Sequence, residues 1–150
     1  MTRSIPSREQ IGIFPLGDGL TMEWQKNGRI VVFVWHSVSR ETVDIFAEAY
    51  RTILRNWPTQ EPLLQLNDLR FAGFAFTPYL RNIVQQVIKE ALALGISGRV
   101  ANVMTAGLTM RIVQLFLRVA VVDPRAPAQI FADVDKAIIW LDAAPSTTSA

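Results

Sequence analysis

The stretch LTMEWQKNGRIVVFVWH, residues 20–36, decides how the rest of the chain is read. Residues 20–25 and 29–36 are rich in the β-branched and aromatic side chains that fit a pleated surface, and between them stands Asn27-Gly28. That dipeptide is the strongest short hairpin signal, because both central positions of a type I′ turn need φ > 0. The first two strands are therefore predicted to be antiparallel.

Beyond His36 the apolar residues change period. Val43, Phe46, Ala47, Tyr50, Ile53, Leu54 and Trp57 recur at the spacing of one helix face. Ser39 is placed to cap that helix, Glu41 suits the positive end of its dipole, and Pro58 forbids continuation. Residues 62–68 are short and apolar enough for a strand. Thr77-Pro78 opens a second helix, with a capping hydroxyl followed by a proline where the missing N–H costs nothing. Its core face is Leu80, Ile83, Val84, Val87, Ile88 and Ala91, and Gly95 is the expected stop. The alternation continues with a strand at 99–104, a helix at 109–121, a strand at 128–131 and a last helix from Asp133 that turns Val134, Ala137, Ile138 and Leu141 inward. The expected fold is a single small α/β domain of order ββαβαβαβα. It has a mainly parallel sheet, an antiparallel edge strand and helices packed against it through right-handed crossovers. Residues 1–10 and 144–150, polar or rich in Ser and Thr, are expected to be flexible ends of a domain spanning 11–143.

Composition removes several chemistries. The 150 residues contain no Cys and one His, which excludes disulfides, thiolate-held zinc, iron–sulfur clusters, cysteine nucleophiles and a histidine metal cluster. Twelve Arg and three Lys are spread singly along the chain for a formal net charge of +2, so no basic stripe predicts nucleic-acid binding. The N-terminus lacks the apolar core of a signal peptide, and no stretch approaches the ~18 apolar residues of a membrane span. The expectation is a cytoplasmic protein, with peripheral membrane association left open.

The element order resembles the SpoIIAA-like family, part of the STAS-like superfamily and related in structure to lipid-binding SEC14 domains. Specific residues carry the likeness. Leu64-Gln65-Leu66-Asn67-Asp68-Leu69, with Phe71 and Phe74 following, resembles the family's third strand and the aromatic loop before its second helix. Arg99-Val100-Ala101-Asn102-Val103 is similar to its fourth strand. Gln129-Ile130-Phe131-Ala132-Asp133 through Ala137-Ile138-Ile139-Trp140-Leu141 resembles its terminal block. The resemblance covers about residues 20–142 and implies a bacterial protein that works by binding. It also implies a candidate phosphorylation site at Thr77, since STAS antagonists of anti-sigma factors are modified at a Ser or Thr that begins the second helix. Phe76, Pro78 and Tyr79 depart from the acidic and small residues of that pattern.

The third helix has more apolar surface than one buried face can use. Ile112, Leu115, Phe116 and Val119 are read as the core-facing set, and Met110, Val113, Leu117 and Val121 as a second row, flanked by Arg111 and Arg118. A helix apolar on two sides needs two partners. The second row is therefore the predicted site for a protein partner, a second copy of the chain, or an apolar small molecule or lipid, and the arginines would suit anionic headgroups. His36-Ser37 lacks an orienting acid, Gly17-Asp18-Gly19 reads as a turn, and Asp68 and Asp123 are placed to pair with Arg70 and Arg125. No residue is assigned to catalysis, metal or cofactor. The leading expectation is a non-enzymatic binding or regulatory domain acting through its third helix. The rivals are a phosphorylation-controlled anti-sigma-factor antagonist and a structural subunit of a larger assembly.

Overall fold

A computed structural model describes residues 4–120 and 123–145. It contains β1 (Ile13–Gly17), β2 (Leu20–Gln25), β3 (Ile30–Trp35), α1 (Arg40–Arg55), β4 (Leu63–Asp68), α2 (Pro78–Ala93), β5 (Gly98–Val103), α3 (Leu108–Ala120), β6 (Ala128–Phe131) and α4 (Val134–Asp142). The six strands form one sheet in chain order; β1, β2 and β3 pair antiparallel, and β3 to β6 run parallel. The α/β domain is as expected, with one strand more at its start. β1 was not foreseen because IFPLG carries a proline and a glycine. Pro15 is tolerated on an edge strand, where a missing N–H breaks no central ladder, and the register shifts between Pro15 and Gly17.

The β2–β3 hairpin turns where Asn27-Gly28 predicts. Arg29 N–H donates to Lys26 O at 3.2 Å across central residues with φ of 56° and 78°, the positive values a type I′ turn requires. Gly28 is needed twice over, since a Cβ there would meet the Arg8 carbonyl oxygen at 2.7 Å. That contact belongs to a segment expected to be flexible. Residues 4–10 are instead docked: the buried Trp24 Nε1–H donates to Pro6 O at 3.0 Å, Arg8 lies 4.1 Å over the Trp57 ring and donates to Gly28 O, and it also pairs with Glu61. A buried indole N–H must find an acceptor, and here the polar N-terminal segment supplies it. Residues 146–150 of the expected tail lie outside the described residues.

The caps follow the sequence. Ser39 and Thr77 hydroxyls accept from Thr42 N–H and Leu80 N–H, both at 3.2 Å, and Gly95 ends α2 with φ of 77°. Alternation along the strands sorts the core into two layers. Val31, Phe33, Trp35 and Leu63 pack with α1, α2 and Val113 of α3 on one face, while Ile30, Val32, Leu64, Leu66, Ala101 and Val103 pack with Ala137 and Leu141 of α4 on the other. Three successive crossovers of the same hand in a sheet laid down in chain order put their helices on one side, which leaves α4 to cover the second.

At the start of β5 the ladder leaves no room for a side chain, because a Cβ on Gly98 would sit 1.9 Å from the Leu63 carbonyl oxygen. Gly98→Ala is expected to cost about 3 kcal/mol or more by separating β4 from β5 at that end. A urea-unfolding free energy within about 0.5 kcal/mol of the parent would contradict the register given for these strands.

Candidate functional site: an apolar cavity with an amide floor

Parallel pairing sets Asn67 of β4 beside Asn102 of β5, and Trp35 closes β3 on the same face. Gln65, two residues before Asn67, shares that face. Gln65 and Asn67 are buried, a costly position for an amide unless its hydrogen bonds are made inside the protein. They are made in a chain. Trp35 Nε1–H donates to Asn67 Oδ1 at 3.3 Å, Gln65 Nε2–H donates to the same oxygen at 3.0 Å, and Asn67 Nδ2–H donates to Asn102 Oδ1 at 3.1 Å. The indole can only donate, so it fixes the direction of every amide after it.

Above this floor, between the sheet and α1, α2 and α3, is a cavity of about 70 Å³. Its walls are Phe46 and Tyr50 of α1, Leu80, Val84 and Val87 of α2, and Val113, Phe116 and Leu117 of α3. The loop before α2 contributes Phe74 and Phe76, and Phe76 meets Phe116 edge-on at 4.8 Å between ring centroids. Among the described residues no charged side chain lines the space. Burial pushes the Tyr50 phenol well above its usual pKa, so it stays neutral.

α3 is apolar on two sides as expected, but apart from Phe116, which lines the cavity as its core-facing assignment requires, the sides are exchanged. Val113 is 4% exposed, Met110 and Leu117 pack against the core, and Val113 and Leu117 line the cavity. The row assigned to an outside partner therefore faces inward. Leu108, Ile112 and Leu115 are 73%, 46% and 61% exposed, so Ile112 and Leu115, assigned to the core, face outward. Both rows have helical spacing, and periodicity alone cannot say which one meets the sheet. Arg111 and Arg118 are exposed beside the outer row. Val121 and the Val119 side chain lie outside the described residues.

The other candidates are dispersed. Thr77 is half-buried and caps α2, next to Phe76 of the cavity wall. His36 is exposed, and the Ser37 hydroxyl accepts from Ser39 N–H at 3.0 Å. Asp68 and Asp123 each take two bonds from the guanidinium and one from the backbone N–H of the arginine two residues on, as their spacing suggests. The Arg70 guanidinium holds Asp68 below the usual carboxylate range. Among the described residues no group of three or more acidic or histidine side chains could hold a metal ion, and no helix is long and apolar enough to cross a membrane. The sequence reading missed Gln65, Asn67 and Asn102 as a set. Their signal was polar residues at alternating positions in strands otherwise apolar on both faces.

Comparison of the chain with protein-family models, curated proteins and solved structures finds no match in any of the three.

Asn67 is the hub of the amide chain, so Asn67→Ala leaves the Trp35 indole and the Gln65 amide without their acceptor. The expected cost is about 2 kcal/mol or more, against about 1 kcal/mol or less for Asn102→Ala at the half-buried end. Equal losses in denaturant unfolding would show that the network has no hub.

Proposed function

We propose that the protein is a non-enzymatic binding domain of the SpoIIAA-like type, which takes up a small apolar molecule in the cavity beneath α2 and α3. The observation that carries this reading is an aromatic and aliphatic cavity built over a few convergent polar groups, the usual make-up of a small-molecule site. Its volume of about 70 Å³ is below the roughly 300 Å³ of common ligand pockets, so a larger ligand requires α3 to move outward. α3 is suited to that. Val113 is the one fully buried side chain among its described residues, whereas α1 buries nine. Benzyl alcohol titrated into nitrogen-15-labelled protein is expected to shift the Trp35 indole N–H resonance saturably. Val84→Phe on α2 and Leu117→Phe on α3, which fill the space from two walls, are expected to weaken that binding at least tenfold. Unchanged affinity in both folded variants would refute the site.

The outer row of α3 favours a second, compatible reading. Leu108, Ile112 and Leu115 are exposed on a helix that carries Arg111 and Arg118 and no acidic residue, a combination that suits peripheral association with an anionic lipid surface. Binding to phosphatidylglycerol vesicles should exceed binding to phosphatidylcholine vesicles and should be lost in Ile112→Asp/Leu115→Asp with the circular dichroism spectrum retained. Binding that survives the double substitution would remove this face from consideration.

A further inference from the structure

The amide chain has a direction, and the direction selects a ligand class. The Trp35 indole has no acceptor atom, so the Asn67 side chain must turn its oxygen toward Trp35 and its NH2 group toward Asn102. Asn102 then gives its oxygen to Asn67 and keeps its own NH2 group uncommitted within the chain, and Asn102 is one of the residues that line the cavity. At the other end Gln65, also a lining residue, donates to Asn67 and retains its carbonyl oxygen as an acceptor. The floor thus offers one amide donor and one amide acceptor, both neutral.

Nothing on the walls compensates a charge. Among the described residues no Arg, Lys or His is present to pair a carboxylate or phosphate, and no Asp or Glu to pair an amine. An ion moved from water into such surroundings loses its hydration with no partner to replace it, whereas a carbonyl or hydroxyl loses far less and recovers it with one bond to an amide. Burial acts on the Tyr50 phenol in the same sense by disfavouring its anion.

Resting on the reading of this cavity as a binding site, we infer that its ligand is a neutral, oxygen-bearing apolar molecule of the ketone, ester or alcohol class, and not a fatty acid, phospholipid headgroup or amine. The Asn102 NH2 group donates to the ligand oxygen, the Gln65 oxygen accepts from a ligand hydroxyl where there is one, and the rings of Phe74, Phe76 and Phe116 cover the hydrocarbon part.

Four probes on one ring test this with the full-length protein at pH 7: cyclohexanone, cyclohexanol, cyclohexanecarboxylate and cyclohexylammonium, each followed by the Trp35 indole resonance. The ketone and the alcohol are expected to bind at least tenfold more tightly than either ion. Asn102→Leu, whose position is half-buried, should weaken cyclohexanone about tenfold or more, since the ketone can only accept. Equal binding of the carboxylate or the ammonium ion would overturn the ligand class and leave the cavity as a binding site. Unchanged cyclohexanone affinity in Asn102→Leu, with folding checked by the unfolding midpoint, would overturn the role of the amide floor. If none of the four probes moves the resonance, the binding function fails and the ligand class with it.

Discussion

β4 is the strand on which the fold and the site both depend, because it is covered on its two faces. Leu64 and Leu66 lie in the layer closed by α4, while Leu63, Gln65 and Asn67 face the layer beneath α1, α2 and α3. A strand in that position is expected to be apolar throughout. Two amides break the pattern, and each would cost a few kcal/mol if left without partners. The cost is avoided because the neighbouring strands supply complementary groups at the right height: the Trp35 indole from β3 and the Asn102 amide from β5. Parallel register is what brings them level, with Asn67 opposite Asn102 and Phe33, two residues from Trp35. A slip of one residue would turn the amides into the apolar layer under α4 and bring Leu64 or Leu66 into their place. The hydrogen-bonded floor therefore specifies the register of the central strands as well as the chemistry of the cavity.

Much of the fold could be read from local signals. The Asn27-Gly28 turn, the Ser39 and Thr77 caps and the Gly95 stop all depend on chemistry within a few residues, and each holds in the structure. What could not be read involves partners distant in sequence. Docking of residues 4–10 depends on Trp24, Gly28, Trp57 and Glu61, none of which is a neighbour in the chain. β1 escaped because a five-residue edge strand with a proline has little pattern of its own, and its identity comes from pairing with β2. The amide floor escaped for the same reason. Gln65, Asn67 and Asn102 become one feature only when β4 and β5 are laid side by side.

The exchange of the two rows on α3 has a related origin. α3 joins β5 to β6 at the end of the sheet, and β6 is only four residues long. A helix over the middle of a sheet can have neighbours on both flanks, but one at the edge has only half of that cover. α1, in contrast, lies over β1 and β2 and against α2, and its apolar arc is nearly all buried. Position in the topology, more than composition, leaves α3 with apolar residues on the outside.

That same position bears on how a ligand could enter. Fully burying one aliphatic side chain stabilises a helix by about 2 kcal/mol, and α3 has one such side chain among its described residues, with Met110, Phe116 and Leu117 partly covered. Its outer row is already exposed to water, so moving α3 away from the sheet newly uncovers its inner row, the Phe76 ring and the cavity floor. The ends of the amide chain impose a second requirement, since water reaching the floor can satisfy Gln65 and Asn102 while α3 is displaced, and a ligand must replace that water with bonds of its own. A purely hydrocarbon guest would cover Val113, Phe116 and Leu117 again but leave those amide groups unpartnered. A guest that also carries one hydrogen-bonding oxygen can answer both, so the weak hold of α3 and the polarity of the floor act on the same choice of ligand.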